Sequence, residues 1–184
     1  MFRLQLPLSP TYVIPPLALA VILACAMLLP ADVRQTLLLS RTDFHWYTLF
    51  SAQLLHHSWS HLALNLGGIL LWWALFAESI PQKRYWLLLP LVMVVSSLAE
   101  WALNGEFSVF SGFSGTLYGL FAYSGVTELR QRKLIGSLVL VALSGKLIFD
   151  LLYPQYASGV AVHAHIGGAL IGSAIAFLRP NRSL

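Results

Sequence analysis

Ser114 stands in the segment Gly112-Phe113-Ser114-Gly115-Thr116-Leu117-Tyr118-Gly119, flanked by small residues. A serine hydroxyl becomes a nucleophile when a base takes its proton. The residue best suited as that base is His165, in Ala164-His165-Ile166-Gly167-Gly168. A third group is His56, His57, His61 and Asn65. Four-residue spacing puts His57, His61 and Asn65 on one helical face. His61 and Asn65 carry side-chain donors that can hold a developing oxyanion. His56 and His57 read instead as fasteners of the preceding segment. Two histidines four apart also suggest a metal, but His-Glu-x-x-His is absent and no acidic residue lies close by. The expectation is acyl-transfer chemistry with no metal and no organic cofactor.

These groups need elements to carry them, and the composition says which kind. The chain has 184 residues, 58% hydrophobic and only 10% charged, with a mean hydropathy of +0.73. A soluble domain would carry about 25% charged residues. The reading is an all-α membrane protein with one domain, residues 1–184. The net charge of +4 does not point to nucleic acid, because the basic residues sit in short clusters between apolar runs. Cys25, the single cysteine, lies inside the first run and reads as a packing residue.

Six runs are legible: Tyr12–Leu29, Trp59–Ala77, Tyr85–Leu103, Ser114–Thr127, Leu134–Tyr153 and Ala161–Leu178. The first has a poor cleavage site in Leu29-Pro30-Ala31-Asp32 and is read as a retained helix. The fourth is short for a span, which takes ~20 residues. It is expected to start below the surface, buried by the others, with residues 104–113 dipping in to meet it. The long connection Pro30–Ser58 is rich in aromatics and is expected to lie half-buried at the interface. Six spans put Arg3, Lys83, Arg84, Arg130, Arg132, Lys133, Arg179 and Arg182 on one side, eight of eleven basic residues. By the positive-inside rule both termini are expected to be cytoplasmic. No internal repeat supports an inverted-repeat transporter.

Depth can be counted at ~1.5 Å per residue from Arg130, Arg179 and Glu78 at the inner ends of the runs, which puts Ser114 at ~24 Å, His165 at ~21 Å and Asn65 at ~20 Å. Three polar groups from three helices thus share one level, and polar groups at such depth are functional candidates by default. Ser114 falls in the first turn of its helix, where free N–H groups collect; a plain capping role is the competing reading. Gly112 and Gly115 allow tight backbone beside it. Gly115 and Gly119, with Gly168 and Gly172, provide small faces for close helix approach. Tyr118, one turn on, is placed to pack against the histidine ring. His163 reads as structural. Glu100 and Asp150 are not positioned to complete a triad, and Asp150 follows Lys146 by four residues, the spacing of a salt bridge. A Ser-His dyad is therefore expected.

The Gly-x-Ser-Gly-x-x-Tyr-Gly pattern at 112–119, Ala164-His165-Ile166-Gly167, and His56-x4-His61-x3-Asn65 together resemble the rhomboid family of intramembrane serine proteases. The resemblance implies a compact six-helix bundle around a wet cavity. It implies Ser114 as nucleophile, His165 as base, and His61, Asn65 and local backbone as the oxyanion site. It also implies cleavage of single-span membrane proteins near the outer face. The small size and the Gly145-Lys146…Asp150 segment resemble the rhombosortase branch. That branch implies substrates with a C-terminal Gly-Gly, an apolar helix and a basic tail. One departure is Trp46-Tyr47-Thr48, where many relatives carry Trp-Arg, and it puts the bracing of the first connection in doubt. A catalytically inactive relative that binds membrane helices, or a small transporter, is the alternative.

Overall fold

The computed structural model describes residues 6–78, 82–106, 109–156 and 159–178. Arg3, Arg179 and Arg182 of the charge count lie outside them, as does the side chain of Lys83. The chain folds as α1 (Pro10–Ala26), α2 (Ala31–Leu37), β1 (Leu39–Ser40), α3 (Thr48–Leu54), α4 (Trp59–Phe76), α5 (Gln82–Leu103), β2 (Val109–Phe110), α6 (Ser114–Arg130), α7 (Leu134–Leu152) and α8 (Val162–Leu178). The six apolar runs correspond to α1, α4, α5, α6, α7 and α8, with ends shifted by up to about a turn. This is an all-α membrane bundle. Segments Pro10–Met27, Trp59–Phe76 and Leu134–Leu152 are long and apolar enough to cross a bilayer unaided. Leu87–Leu103 and Val162–Leu178 are apolar but shorter.

The fourth run extends one turn beyond Thr127, to Arg130, and is the most enclosed helix. Gly115, Thr116, Leu117, Gly119, Leu120 and every residue from Ala122 to Glu128 are buried. It packs most heavily on α8, then on α7. Glycine makes the α6–α8 contact a backbone contact. A Cβ on Gly119 would sit 2.8 Å from the Gly168 carbonyl oxygen, and one on Gly168 or Gly172 would collide with the carbonyls of Gly115 and Gly119. A similar seam joins α6 to α7, where a Cβ on Gly136 would lie 2.6 Å from the Gly125 oxygen. Small residues let membrane helices approach this closely. The apolar core continues outward from Leu117, Leu120 and Tyr123 to Leu62, Ile69 and Trp72 of α4, Leu88 and Val92 of α5, and Leu19 and Leu23 of α1.

The connection between α1 and α4 is more ordered than a loop, since it holds α2, β1 and α3. Its apolar residues divide: the aromatics Phe44, Trp46 and Tyr47 are exposed, whereas Leu39, Ala52 and Leu55 are buried. β1 pairs antiparallel with β2, Leu39 opposite Phe110 and Ser40 opposite Val109. The brace that the missing Trp-Arg pair put in doubt is present in another form. Arg41 donates to the Trp101 carbonyl, and its guanidinium stands 5.7 Å from the Trp101 ring centroid.

Candidate active site

Ser114 is the first residue of α6. The position before it belongs to Phe113, which makes no side-chain cap, so the capping role considered for Ser114 does not hold. Gly112 has φ +129°, and a Cβ there would press into the His61 ring, 2.6 Å from Cε1. Only glycine suits both demands. The Gly112 N–H donates to the Ala52 carbonyl at 3.0 Å, tying the approach to Ser114 to α3.

His165 lies in the first turn of α8 and is buried. Its Nε2 is 2.8 Å from Ser114 Oγ. The Tyr118 ring lies parallel to the imidazole, centroids 4.1 Å apart with 3° between planes. His165 Nδ1 is buried and has no hydrogen-bond partner among the described residues. The pair therefore has no carboxylate on its far side. With the ring proton on Nδ1, Nε2 is free to accept from the serine.

The Ser114 hydroxyl opens on a cavity of about 710 Å³. Asn65, His61 and Gly68 of α4 and Val139, Leu143 and Lys146 of α7 line it; both helices pack on α6, so the cavity has an α4 wall and an α7 wall. Asn65 is buried, and its Nδ2 donates to the His61 carbonyl at 3.1 Å and to no other acceptor among the described residues. Its second N–H remains available. Ser58 caps α4 by accepting from the His61 N–H at 3.1 Å, which fixes the start of the helix that carries both residues. His61 Nδ1 meets His57 Nδ1 at 2.9 Å.

His56 is buried. It packs edge-on against His61 at 4.9 Å, and neither of its buried nitrogens has a hydrogen-bond partner among the described residues. Burial, helped by the nearby His61 and His57, pushes its pKa down to about 4. It borders a second cavity with Arg34, Glu100 and Asn104, on the other side of Ser111 and residues 159–161. His163 is half-buried on α8. Among the described residues no three of His, Cys, Asp and Glu are grouped to hold a metal ion.

The family model of the Rhomboid domain matches residues 43–182. The chain belongs to the rhomboid family. The match contains Ser114, His165, His61, Asn65 and the whole bundle from α3 onward. Rhomboid-like protein 11, chloroplastic, of Arabidopsis thaliana is 27% identical over 146 residues, 72% of this chain and 52% of that protein. An uncharacterised protein of Mycobacterium leprae is 30% identical over 148 residues, 76% of this chain and 58% of its own length. Another, of Mycobacterium tuberculosis, is 28% identical over 147 residues, 75% and 60% of the two lengths. The chain thus spans little more than half the length of the relatives it matches.

Two elements of this rhomboid site were not anticipated. Gln53 of α3, fully buried, donates through Nε2 to Ser96 Oγ at 2.6 Å and Ser97 Oγ at 2.9 Å, and accepts from Thr116 Oγ1 at 2.8 Å. Thr116 is two residues after Ser114, so Gln53 ties α3 and α5 to the first turn of α6. Glu100, also buried, accepts from the Ala164 N–H at 2.9 Å and from Asn104 Nδ2 at 2.7 Å. It satisfies an orphan donor at the start of α8, one residue before His165. Polar residues inside apolar runs were the available signal.

Proposed function

We propose that this chain is an intramembrane serine endopeptidase acting through Ser114 and His165. The observation that carries the reading is the 2.8 Å approach of His165 Nε2 to Ser114 Oγ, at the edge of a cavity large enough for a peptide segment. Bases act at ~2.6–3.2 Å from the proton they take. His165 accepts the Ser114 proton as Oγ attacks a backbone carbonyl carbon. The second N–H of Asn65, His61 and the N–H groups opening α6 face the developing oxyanion. The imidazolium returns its proton to the leaving amine. Water then releases the acyl group, His165 again taking the proton.

The substrates in this reading are single-span membrane proteins cut near the outer face of a bacterial inner membrane. A helix protects its own scissile bonds, so the cut falls where small or helix-breaking residues let the backbone unwind. Both termini are cytoplasmic, residues 1–184 form one domain, and six helices span. The Gly145-Lys146…Asp150 segment supports the rhombosortase branch, with Gly-Gly C-terminal anchors as substrates.

The test is co-expression with tagged single-span candidates, comparing wild type with Ser114→Ala. Cleavage is lost in the variant, which remains folded and membrane-inserted, and a fluorophosphonate probe labels the wild type at Ser114. Cleavage surviving in Ser114→Ala overturns the reading. Absence of labelling leaves the helix-binding alternative.

A further inference from the structure

Lys146 and Asp150 form an ion pair that the proposed chemistry does not use. Lys146 Nζ donates to both Asp150 carboxylate oxygens, one turn along α7. The Asp150 side chain is 1% exposed, whereas that of Lys146 is 51% exposed. That exposure is not on the outer face of α7, where Val141, Ile148 and Leu152 point away. Lys146 lines the Ser114 cavity, beside Ala142 and Leu143. Both charges are within electrostatic reach of the His165 ring.

Charges in an apolar bundle are costly, and pairing alone seldom makes a buried ion pair better than apolar packing. An ammonium also has three N–H donors. Asp150 engages two, so one remains for the cavity. The opposite wall carries Asn65 and His61, the donors assigned to the scissile carbonyl. In an extended peptide, successive carbonyls point to opposite sides. A segment with its scissile oxygen toward α4 therefore turns the adjacent carbonyl toward α7.

We infer that Lys146 is a substrate-binding residue, its ammonium donating to a main-chain carbonyl or side-chain carboxylate oxygen next to the scissile bond, on the wall facing Asn65 and His61. The inference rests on the protease reading and names what that site selects. Asp150 is a positioning residue that holds the ammonium at the cavity edge. The subsite favours oxygen-rich or acidic neighbours of the cut and rejects cationic ones, whose charge would meet Lys146 in a low-dielectric cleft.

The experiment uses purified enzyme in liposomes and a single-span substrate in three versions, with a neutral, acidic or basic residue beside the cut. The enzymes are wild type, Lys146→Arg, Lys146→Met, and Lys146→Met combined with Asp150→Leu. The double variant leaves no unpaired carboxylate, so it tests the idea even where the single one fails to fold. Loss of one charge-assisted hydrogen bond lowers kcat/KM for the neutral substrate about 10-fold or more in the Met variants. The Arg variant keeps most activity, and the bias against the basic substrate shrinks without the ammonium. Fluorophosphonate labelling of Ser114 in the variants reports whether the dyad is still assembled, so that a loss of substrate turnover with labelling retained is assigned to binding. A preference for the acidic substrate that disappears with Lys146 identifies a carboxylate as the bound oxygen; equal use of acidic and neutral versions identifies the main chain. A double variant with wild-type kcat/KM and an unchanged charge bias overturns the inference. Failure of the wild type itself to label would overturn the protease reading, and this inference with it.

Discussion

Gly168→Ala tests whether the α6–α8 seam sets the reacting distance. The added carbon would fall on the Gly115 carbonyl oxygen, 2.9 Å from the Gly115 carbonyl carbon and 3.3 Å from the Gly119 nitrogen. Those atoms are backbone of a helix held between α5, α7 and α8, so no side chain can swing away. Apolar contacts settle near ~3.5–4.0 Å, so relief requires the helices to part by at least about 1 Å at this level. Gly168 is three residues from His165, and Gly115 adjoins Ser114. The 2.8 Å contact would then open to nearly 4 Å, beyond the ~3.2 Å limit for proton transfer. Misplacement by about 1 Å can cost ~100-fold in rate. The assay is kcat for a single-span substrate together with the rate of fluorophosphonate labelling, with helix content checked by circular dichroism. The control is Gly67→Ala, where nothing lies within 4 Å of the new carbon. It should leave kcat unchanged and, at a helical site, stabilise by about 0.5–1 kcal/mol. A folded Gly168→Ala enzyme with wild-type kcat and labelling would refute the idea that backbone contact sets the distance.

Gln53→Leu should lower the unfolding free energy by roughly 2–4 kcal/mol, because it strands the buried hydroxyls of Ser97 and Thr116. Denaturation in mixed micelles measures this, and a change below experimental error would show that the network carries no net stability. For His56 the sign follows from its lowered pKa, about 4 in the fold against 6.5 ordinarily. Between those values the unfolded chain binds the extra proton, so His56 favours folding above pH ~6.5 and that contribution is lost as the pH falls toward 4. His56→Leu should flatten this acid limb in thermal scans between pH 4 and 7, and an unaltered limb would contradict it.

The helices were largely legible, because a run of apolar residues has few choices in a bilayer beyond hydrogen-bonding its own backbone. Depth counting placed Ser114 and His165 within ~3 Å of one level, and glycine spacing named the faces that meet. The catalytic roles assigned to them remain a proposal for the Ser114→Ala experiment. Less legible was what pairs across long stretches of sequence. Gln53 meets residues 43, 44 and 63 positions away, and Glu100 meets Ala164 across 64. A polar residue in an apolar run announces that it needs a partner without naming it. The order in the first connection was hidden for a related reason. α2 and α3 have 7 residues each, too short for helical periodicity to speak, and they are held by tertiary contacts. Nothing in the sequence around Arg41 announces that it meets a carbonyl and an indole face 60 residues away.

The imidazole of residue 165 has its attitude fixed by a flat phenol ring rather than by an acid. A stacked neighbour restrains tilt but has no say over which nitrogen holds the proton. Among the described residues, the ring's hydrogen-bond partner is the hydroxyl of residue 114. Orientation and protonation, which a third acidic member would govern together, are here divided between two residues one turn apart on a single helix.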